Sequence, residues 1–386
     1  MRDVRAAHRR PRRRQRHGER ERRSSALLRS RDGRRAHPLN TRSFWAPGRV
    51  NLIGEFTDLT GGLVLPVALD LGIRVDCVPS ERTLLLTSDA FQGTSDDADW
   101  GRYAVAVEAE LSDLGRAPVG IEGAVHSTLP IDAGLSSSAA LEVAVAVALC
   151  AVADFELHPL ELARATQRAE HRAVGVPSGI MDQAASVLGR AGHAILIDTG
   201  TLEFDYIPLP PQLALVIVDS GVSRRLESSA YGERRRELEA GHPARIRHVT
   251  TENRRVSEVA AILREPGRPR LDELGALFAE GHESLRRDFE VTIPELDLLV
   301  ALAVDAGAVA ARMTGGGFGG SIVALVERNR AEILARHVLA EYRNRAGNKG
   351  AAFVCEASDG ARELRRTDHR AERFGSTWRS SDDTNT

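Results

Sequence analysis

The chain has a single lysine, Lys349, among its 386 residues, and the rest of its 52 basic side chains are arginine. That scarcity excludes a Walker A phosphate loop, whose Gly-Lys-Ser/Thr ending has no counterpart here. It also excludes the protein-kinase signatures, which need a lysine ahead of the catalytic loop. A nucleotide site in this chain must use backbone amides, a helix dipole and hydroxyl groups. Cysteine is scarce too. Cys77, Cys150 and Cys355 are far apart and match no zinc or redox spacing, which argues against a disulfide framework or metal knot and suits a reducing cytoplasm. No apolar run is long enough to span a membrane; the most apolar stretch, residues 139–152, is short and contains Glu142.

What is present is organised unevenly. Residues 1–40 hold 15 arginines against Asp3, Glu19, Glu21 and Asp32, with few apolar residues and no periodicity. Such a segment cannot bury enough surface to offset its ordering entropy, so it is read as a disordered extension, and as a solvated tail rather than a nucleic-acid binder. The length allows two domains. Pro208, Pro210 and Pro211 mark a seam, placing one domain at 41–205 and a second at 206–364, with a polar tail at 365–386. Strand and helix signals alternate throughout, giving a mixed α/β (α+β) class. Periodicity predicts strands at 49–53, 62–68, 71–78, 82–88 and 120–127, and helices at 100–114, 159–173, 251–263, 271–288 and 328–346.

Three stretches carry concentrated chemistry. Ala46–Gly62 packs Arg49, Glu55 and Asp58 into an apolar strand and a glycine turn. Carboxylates at such a turn can accept hydrogen bonds from a polyol, although a buried strand followed by a solvated acidic turn is an equally good reading of the stretch alone. Pro130–Leu141 places Gly134, Ser136, Ser137, Ser138 and Ala139 before an apolar helix. Free amides and the positive end of the helix dipole make an anion site there. Met313–Gly320 is a second glycine loop between strands, richer in glycine than a hairpin needs. Close approach of its backbone to a ligand, or to the other loop, explains that composition.

These stretches, with Pro177–Gln183 and Asp219–Glu237, resemble in order the motifs of the galactokinase family of GHMP small-molecule kinases, from about Trp45 to Leu364. The resemblance implies two α/β domains with the active site in the cleft between them. It also implies transfer of phosphate from ATP to the anomeric hydroxyl of a monosaccharide, with galactose the leading substrate. By the same resemblance, Asp182 accepts the sugar proton and Arg49 stands beside it. Glu55, Asp58, Gly179 and Tyr231 contact the sugar. Gly134, Ser136, Ser137, Ser138 and Ala139 bind ATP, with Trp100 and Tyr103 near the adenine. Ser138 and Glu170 hold Mg²⁺. The reading favours a monomer, and the cysteine usage a cytoplasmic one.

On the residues alone, Asp182 could cap the following helix, Glu170 could pair with an arginine at helical spacing, and Tyr231 and Trp100 could be packing residues. One departure stands out. The family reads Gly-Glu-His-Thr-Asp, whereas this chain has Gly54-Glu-Phe-Thr-Asp58. Phe56 removes a hydrogen-bonding contact to the sugar, leaving open a different aldose or a galactose derivative. Asp132 also brings a negative charge near the phosphate loop. A non-catalytic sugar sensor is the reading from another class, and the intact residues 136–140 with Asp182 argue against it.

Overall fold

The computed structural model describes residues 41–365 and 377–379, apart from 82–83, 97, 131–132, 176–177, 224–227 and 266–269. The Arg-rich segment 1–40, most of the expected polar tail, and Asp132 and Pro177 lie outside the described residues.

The strands in chain order are Arg42–Asn51 (β1), Leu63–Val64 (β2), Pro66–Ser80 (β3), Leu84–Ser88 (β4), Gly120–Ser127 (β5), His193–Asp198 (β6) and Phe204–Pro208 (β7). They continue with Leu213–Asp219 (β8), Ala310–Met313 (β9), Ser321–Glu327 (β10), Ala351–Cys355 (β11), Arg362–Glu363 (β12) and Thr377–Arg379 (β13). The helices are Gly101–Asp113 (α1), Ser137–Val152 (α2), Pro159–Val174 (α3), Met181–Leu188 (α4) and Ser228–Glu239 (α5). Then come Pro243–Arg264 (α6), Leu271–Ser284 (α7), Pro294–Asp305 (α8) and Ala331–Ala346 (α9).

One five-stranded sheet has the order β12-β1-β3-β5-β4, a second β13-β11-β8-β10-β9, and a three-stranded sheet β2-β6-β7. Among the described residues only the β4–β5 pair is parallel. Helices α2 and α4 pack on the first sheet. Helix α2 packs on β1 and β3 with α1, α3 and α4 around it, which is why it is apolar on nearly every face. Burying Leu141, Val143, Val145 and Leu149 there contributes ~1.5–3 kcal/mol per side chain. The second sheet packs against α8 and α9 around Tyr342, Leu334 and Leu299.

Several boundaries differ from the periodicity. The first strand begins seven residues early, at Arg42, because residues 43–51 are buried throughout. The expected strands 62–68 and 71–78 resolve into the short β2 and one continuous β3. Pro66 opens β3, a position where proline's missing N–H is tolerated. The helix expected at 251–263 starts at Pro243, a favourable first-turn proline. The helix expected over 271–288 ends at Ser284 and passes into a π-helical turn, Leu285–Phe289, closed by Glu290 at φ 57. Turns of that kind cluster at functional sites, and this one brings Phe289 against Phe56.

Candidate active site

Arg49 follows a register shift in β1, where pairing with β3 slips between Pro47 and Arg49. Such a bulge re-aims a side chain. The guanidinium is 5% exposed and forks onto Asp182, with Nε donating to Oδ1 at 2.7 Å and Nη2 to Oδ2 at 2.8 Å. Its Nη1 donates to the carbonyl of Gly134 at 2.8 Å, and its backbone N–H to that of Leu135 at 3.2 Å. The signature strand and the phosphate loop are therefore tied through one side chain. Asp182 lies in the first turn of α4 and does not cap it: the N-cap is Ile180, without a side-chain bond.

Asp58 sits in a 3-10 turn at Thr57–Thr60, closed by Gly61 at φ 72. Burial, with the nearby Asp182 charge, pushes its carboxyl up to about 6. Gly179 is packed so closely that a Cβ there would overlap Asp58 Oδ2. The glycine is thus required by the carboxylate it faces. Tyr231, on α5, lies 5.8 Å from the Phe56 ring and packs beside Gly316 of the glycine loop. Burial raises its phenol above the ordinary range.

Glu55 is not the open carboxylate that the acidic turn implies. It is 2% exposed, and its Oε2 accepts from Arg312 Nη2 at 2.8 Å. Oε1 carries only a long 3.4 Å bond from Gly315 N–H, so it is the less engaged of the two oxygens. The same Arg312 Nη2 donates to Glu252 at 2.6 Å, and Glu252 also accepts from Gly54 N–H and Arg255. Burial pushes Glu55 up to about 7 against the pull of Arg312. For Glu252 burial works in the same direction, but Arg312, His248 and Arg255 outweigh it and hold the carboxyl at about 2. His248 is wholly buried, which lowers it to about 4; its ring nitrogens bond Ser284 Oγ and Glu55 O.

Phe56 stands at φ 67, an unusual conformation for a bulky side chain. Its ring is almost buried between Phe289, Tyr231 and His248.

In the phosphate loop, Gly134 takes φ 76 and Ser136 φ 58. Ser136 caps nothing; its hydroxyl donates to Asp182 Oδ2 at 2.6 Å. Ser138 Oγ donates to Glu170 Oε1 at 3.1 Å. The other Glu170 oxygen accepts from Ser178 at 2.5 Å and Gln183 at 3.1 Å. The neighbouring arginines are engaged elsewhere, Arg164 with Glu161, and Arg168 and Arg172 with Glu110. Glu170 therefore faces the loop instead of forming a surface pair. Ser137 is half-buried at the helix start and Ala139 is buried in the core. Trp100 is 8% exposed, bonds Gln92 O through its indole N–H at 3.1 Å, and packs on Phe91. Tyr103 is half-buried with the Arg102 guanidinium over its ring.

The second glycine loop joins the other two motifs. Thr314 exchanges hydrogen bonds with the backbone of Asn51 at 3.0 Å, and Ser321 Oγ donates to Ala133 O at 2.7 Å. Among the described residues, the glycines themselves approach the backbones of Val291 and Val222 instead of the phosphate loop, which is reached only by the Ser321 side chain at the loop's end.

Sequence reading missed Arg312, Glu252, Arg255, His248, Phe289, Ser178, Glu142 and Gln183. Arg312 directly precedes the glycine loop and Gln183 follows Asp182, so position in a motif could have flagged both. Glu252 and His248 lie on a helix with no local signal.

Family models match the chain in three places: GHMP kinases N terminal domain at residues 102–190, GHMP kinases C terminal at 257–344, and the galactokinase galactose-binding signature at 36–78. The galactokinase of Roseiflexus sp. (strain RS-1) is 40% identical over 359 residues, covering 82% of this chain and 91% of that protein. The crystal structure of Lactococcus lactis galactokinase complexed with galactose superposes with a TM-score of 0.78 at 30% identity, over 84% of this chain and 96% of that one. Methanococcus jannaschii mevalonate kinase, at 19% identity and a TM-score of 0.65 over 83% of this chain and all of that one, shares the fold. The chain belongs to the galactokinase family of the GHMP kinases.

Proposed function

We propose that this sugar kinase transfers the γ-phosphoryl group of ATP to the anomeric hydroxyl of galactose. The observation that carries the reading is the fork of Arg49 on Asp182, set against the N-terminus of α2. Phosphoryl transfer needs little covalent help; it needs positioning and stabilisation of developing charge. Asp182 holds the sugar hydroxyl and takes its proton as the oxygen attacks phosphorus. Arg49 keeps the carboxylate oriented and supplies positive charge beside the moving phosphoryl group. Asp58 and Oε1 of Glu55 accept from sugar hydroxyls, with Gly179 and Tyr231 completing the wall. The amides at the start of α2, around Gly134, Ser136, Ser137, Ser138 and Ala139, face the phosphates of ATP. Tyr103, with the edge of Trp100, lies on the adenine side.

Mg²⁺ fits this donor set. The Ser138 hydroxyl and the free side of Glu170 Oε1 converge, giving the oxygen-only ligands that Mg²⁺ prefers. Among the described residues no group of three or more His, Cys, Asp or Glu side chains is placed to hold a metal; phosphates and water would complete the shell. Bound there, Mg²⁺ would neutralise phosphate charge.

We also place the domain boundary between residues 205 and 206, and the enzyme in the cytoplasm as a monomer. All three cysteines are free thiols, and among the described residues no helix is long and apolar enough to cross a membrane. ATP consumption by the wild-type chain across a panel of aldoses tests the function. Turnover should be highest with galactose; no turnover with any aldose, alongside a sugar-induced rise in thermal stability, would mean a sensor instead.

A further inference from the structure

Ser136 holds a backbone conformation, φ 58 and ψ 48, that a side chain other than glycine rarely adopts. It occupies the N-cap position of α2, where serine ordinarily turns its oxygen onto a helix N–H. It makes no such bond. The hydroxyl instead donates to Asp182 Oδ2 at 2.6 Å, and the residue is nearly buried. A strained backbone and a forgone cap are thus kept together with a short bond to one carboxylate. Strain of this kind persists where surrounding structure holds it, and it concentrates at functional sites.

The bond also separates the two carboxylate oxygens. Oδ2 accepts from Ser136 Oγ and from Arg49 Nη2. Oδ1 accepts from Arg49 Nε. Each oxygen of a carboxylate accepts about two hydrogen bonds. Oδ2 thus holds two hydrogen bonds and Oδ1 one, with Arg49 Nη2 also 2.7 Å from Oδ1, so the open acceptor place is on Oδ1.

We propose that Ser136 is a positioning residue for Asp182, filling Oδ2 with Arg49 so that Oδ1 is the oxygen presented to the sugar. This rests on the reading of Asp182 as the proton acceptor. In the step itself the anomeric O–H gives its proton to Oδ1. The oxygen's electron pair forms the bond to the γ-phosphorus. The bond from that phosphorus to the bridging oxygen breaks, and ADP leaves with its electron pair. Ser136 touches neither sugar nor phosphorus in this scheme. That differs from the ATP-binding role suggested by its place among three serines.

Two variants separate the roles. Ser136→Ala removes the hydroxyl; Ser136→Gly removes it and also relieves the left-handed strain. With ATP and galactose as substrates, both should lose about tenfold to a hundredfold in kcat, the effect of deleting a hydrogen bond to a charged group. KM for ATP and for galactose should hold, and Ser136→Gly should melt at or above the wild-type temperature. Unchanged kcat would overturn the proposal. So would a raised KM for ATP with kcat intact, which would make Ser136 a phosphate ligand. Wild-type turnover measured alongside tests the reaction itself, whereas the variant-to-parent ratio speaks to Ser136 alone.

Discussion

Phe56 stacks on Phe289 with ring centroids 4.1 Å apart and planes inclined by 23°. The contact joins the turn of the sugar signature to the π-helical end of α7, and it occupies the place where the family carries histidine. An aromatic ring without a polar edge can offer no hydrogen bond to the sugar of the proposed reaction. Phe56→His should keep much of the stack and restore a donor. A recovered hydrogen bond contributes ~1 kcal/mol, or about fivefold in affinity. The KM for galactose should fall by about that factor while the KM for ATP stays constant. Steady-state kinetics check this; an unchanged galactose KM, with activity lost on some other aldose, would point to altered specificity.

Gly179 and Asp58 give a steric prediction. A methyl group at 179 would overlap the Asp58 carboxylate and push it from its place. Gly179→Ala should raise the KM for galactose at least tenfold, about 1.4 kcal/mol in binding. The KM for ATP should change little. Equal galactose KM values for variant and parent would remove Asp58 from the sugar wall.

The buried charges around Arg312 predict a stability effect. Arg312, Glu55 and Glu252 are each almost wholly excluded from solvent. Removing one partner of a buried ion pair leaves an uncompensated charge and costs ~3–5 kcal/mol. Arg312→Met should lower the urea midpoint by a corresponding amount and weaken galactose binding, since Glu55 loses its anchor. A small change in midpoint would show that the two glutamates do not depend on the arginine.

Arg49, Asp58 and Ser138 fall in two short stretches of unusual glycine and serine content, whereas Asp182 was named through family likeness; the fold puts Arg49 on Asp182. Glu170 was assigned through family likeness, and its orientation came from tertiary packing that draws Arg168 and Arg172 to Glu110. The partners of Glu55 were not legible. Glu252 and His248 read as ordinary polar positions on a helix, and only the fold brings them under the signature turn. The extent of β3 was not legible either: Asp70 and Gly72 read as a break, yet the strand runs on through both from Pro66 to Ser80. For Ser136 the sequence pointed to the phosphate loop but not to its partner: only the fold brings its hydroxyl to Asp182.

Glu142 supplies a pH prediction. It is wholly buried on α2, its Oε2 accepting from Gln183 at 3.2 Å. Burial, with the charge of Glu170, pushes its carboxyl up to about 9. In the unfolded chain it would titrate at ~4.3. Between those values the folded state holds a proton that the unfolded state lacks, so stability falls as pH rises through this window. Glu142→Gln cannot ionise. It should match the parent near pH 4 and exceed it increasingly toward pH 8, as followed by thermal melting at several pH values. A constant difference across that range would show that Glu142 is already ionised in the folded protein.

The central claim is that Asp182, held by Arg49, takes the proton from galactose. The most direct test compares galactose phosphorylation by the wild-type chain and Asp182→Asn, with galactose binding measured separately by calorimetry. A positioned general base contributes about 100- to 10,000-fold. The variant's kcat should fall by that factor while its galactose affinity is largely preserved; near-normal turnover in Asp182→Asn would contradict the account.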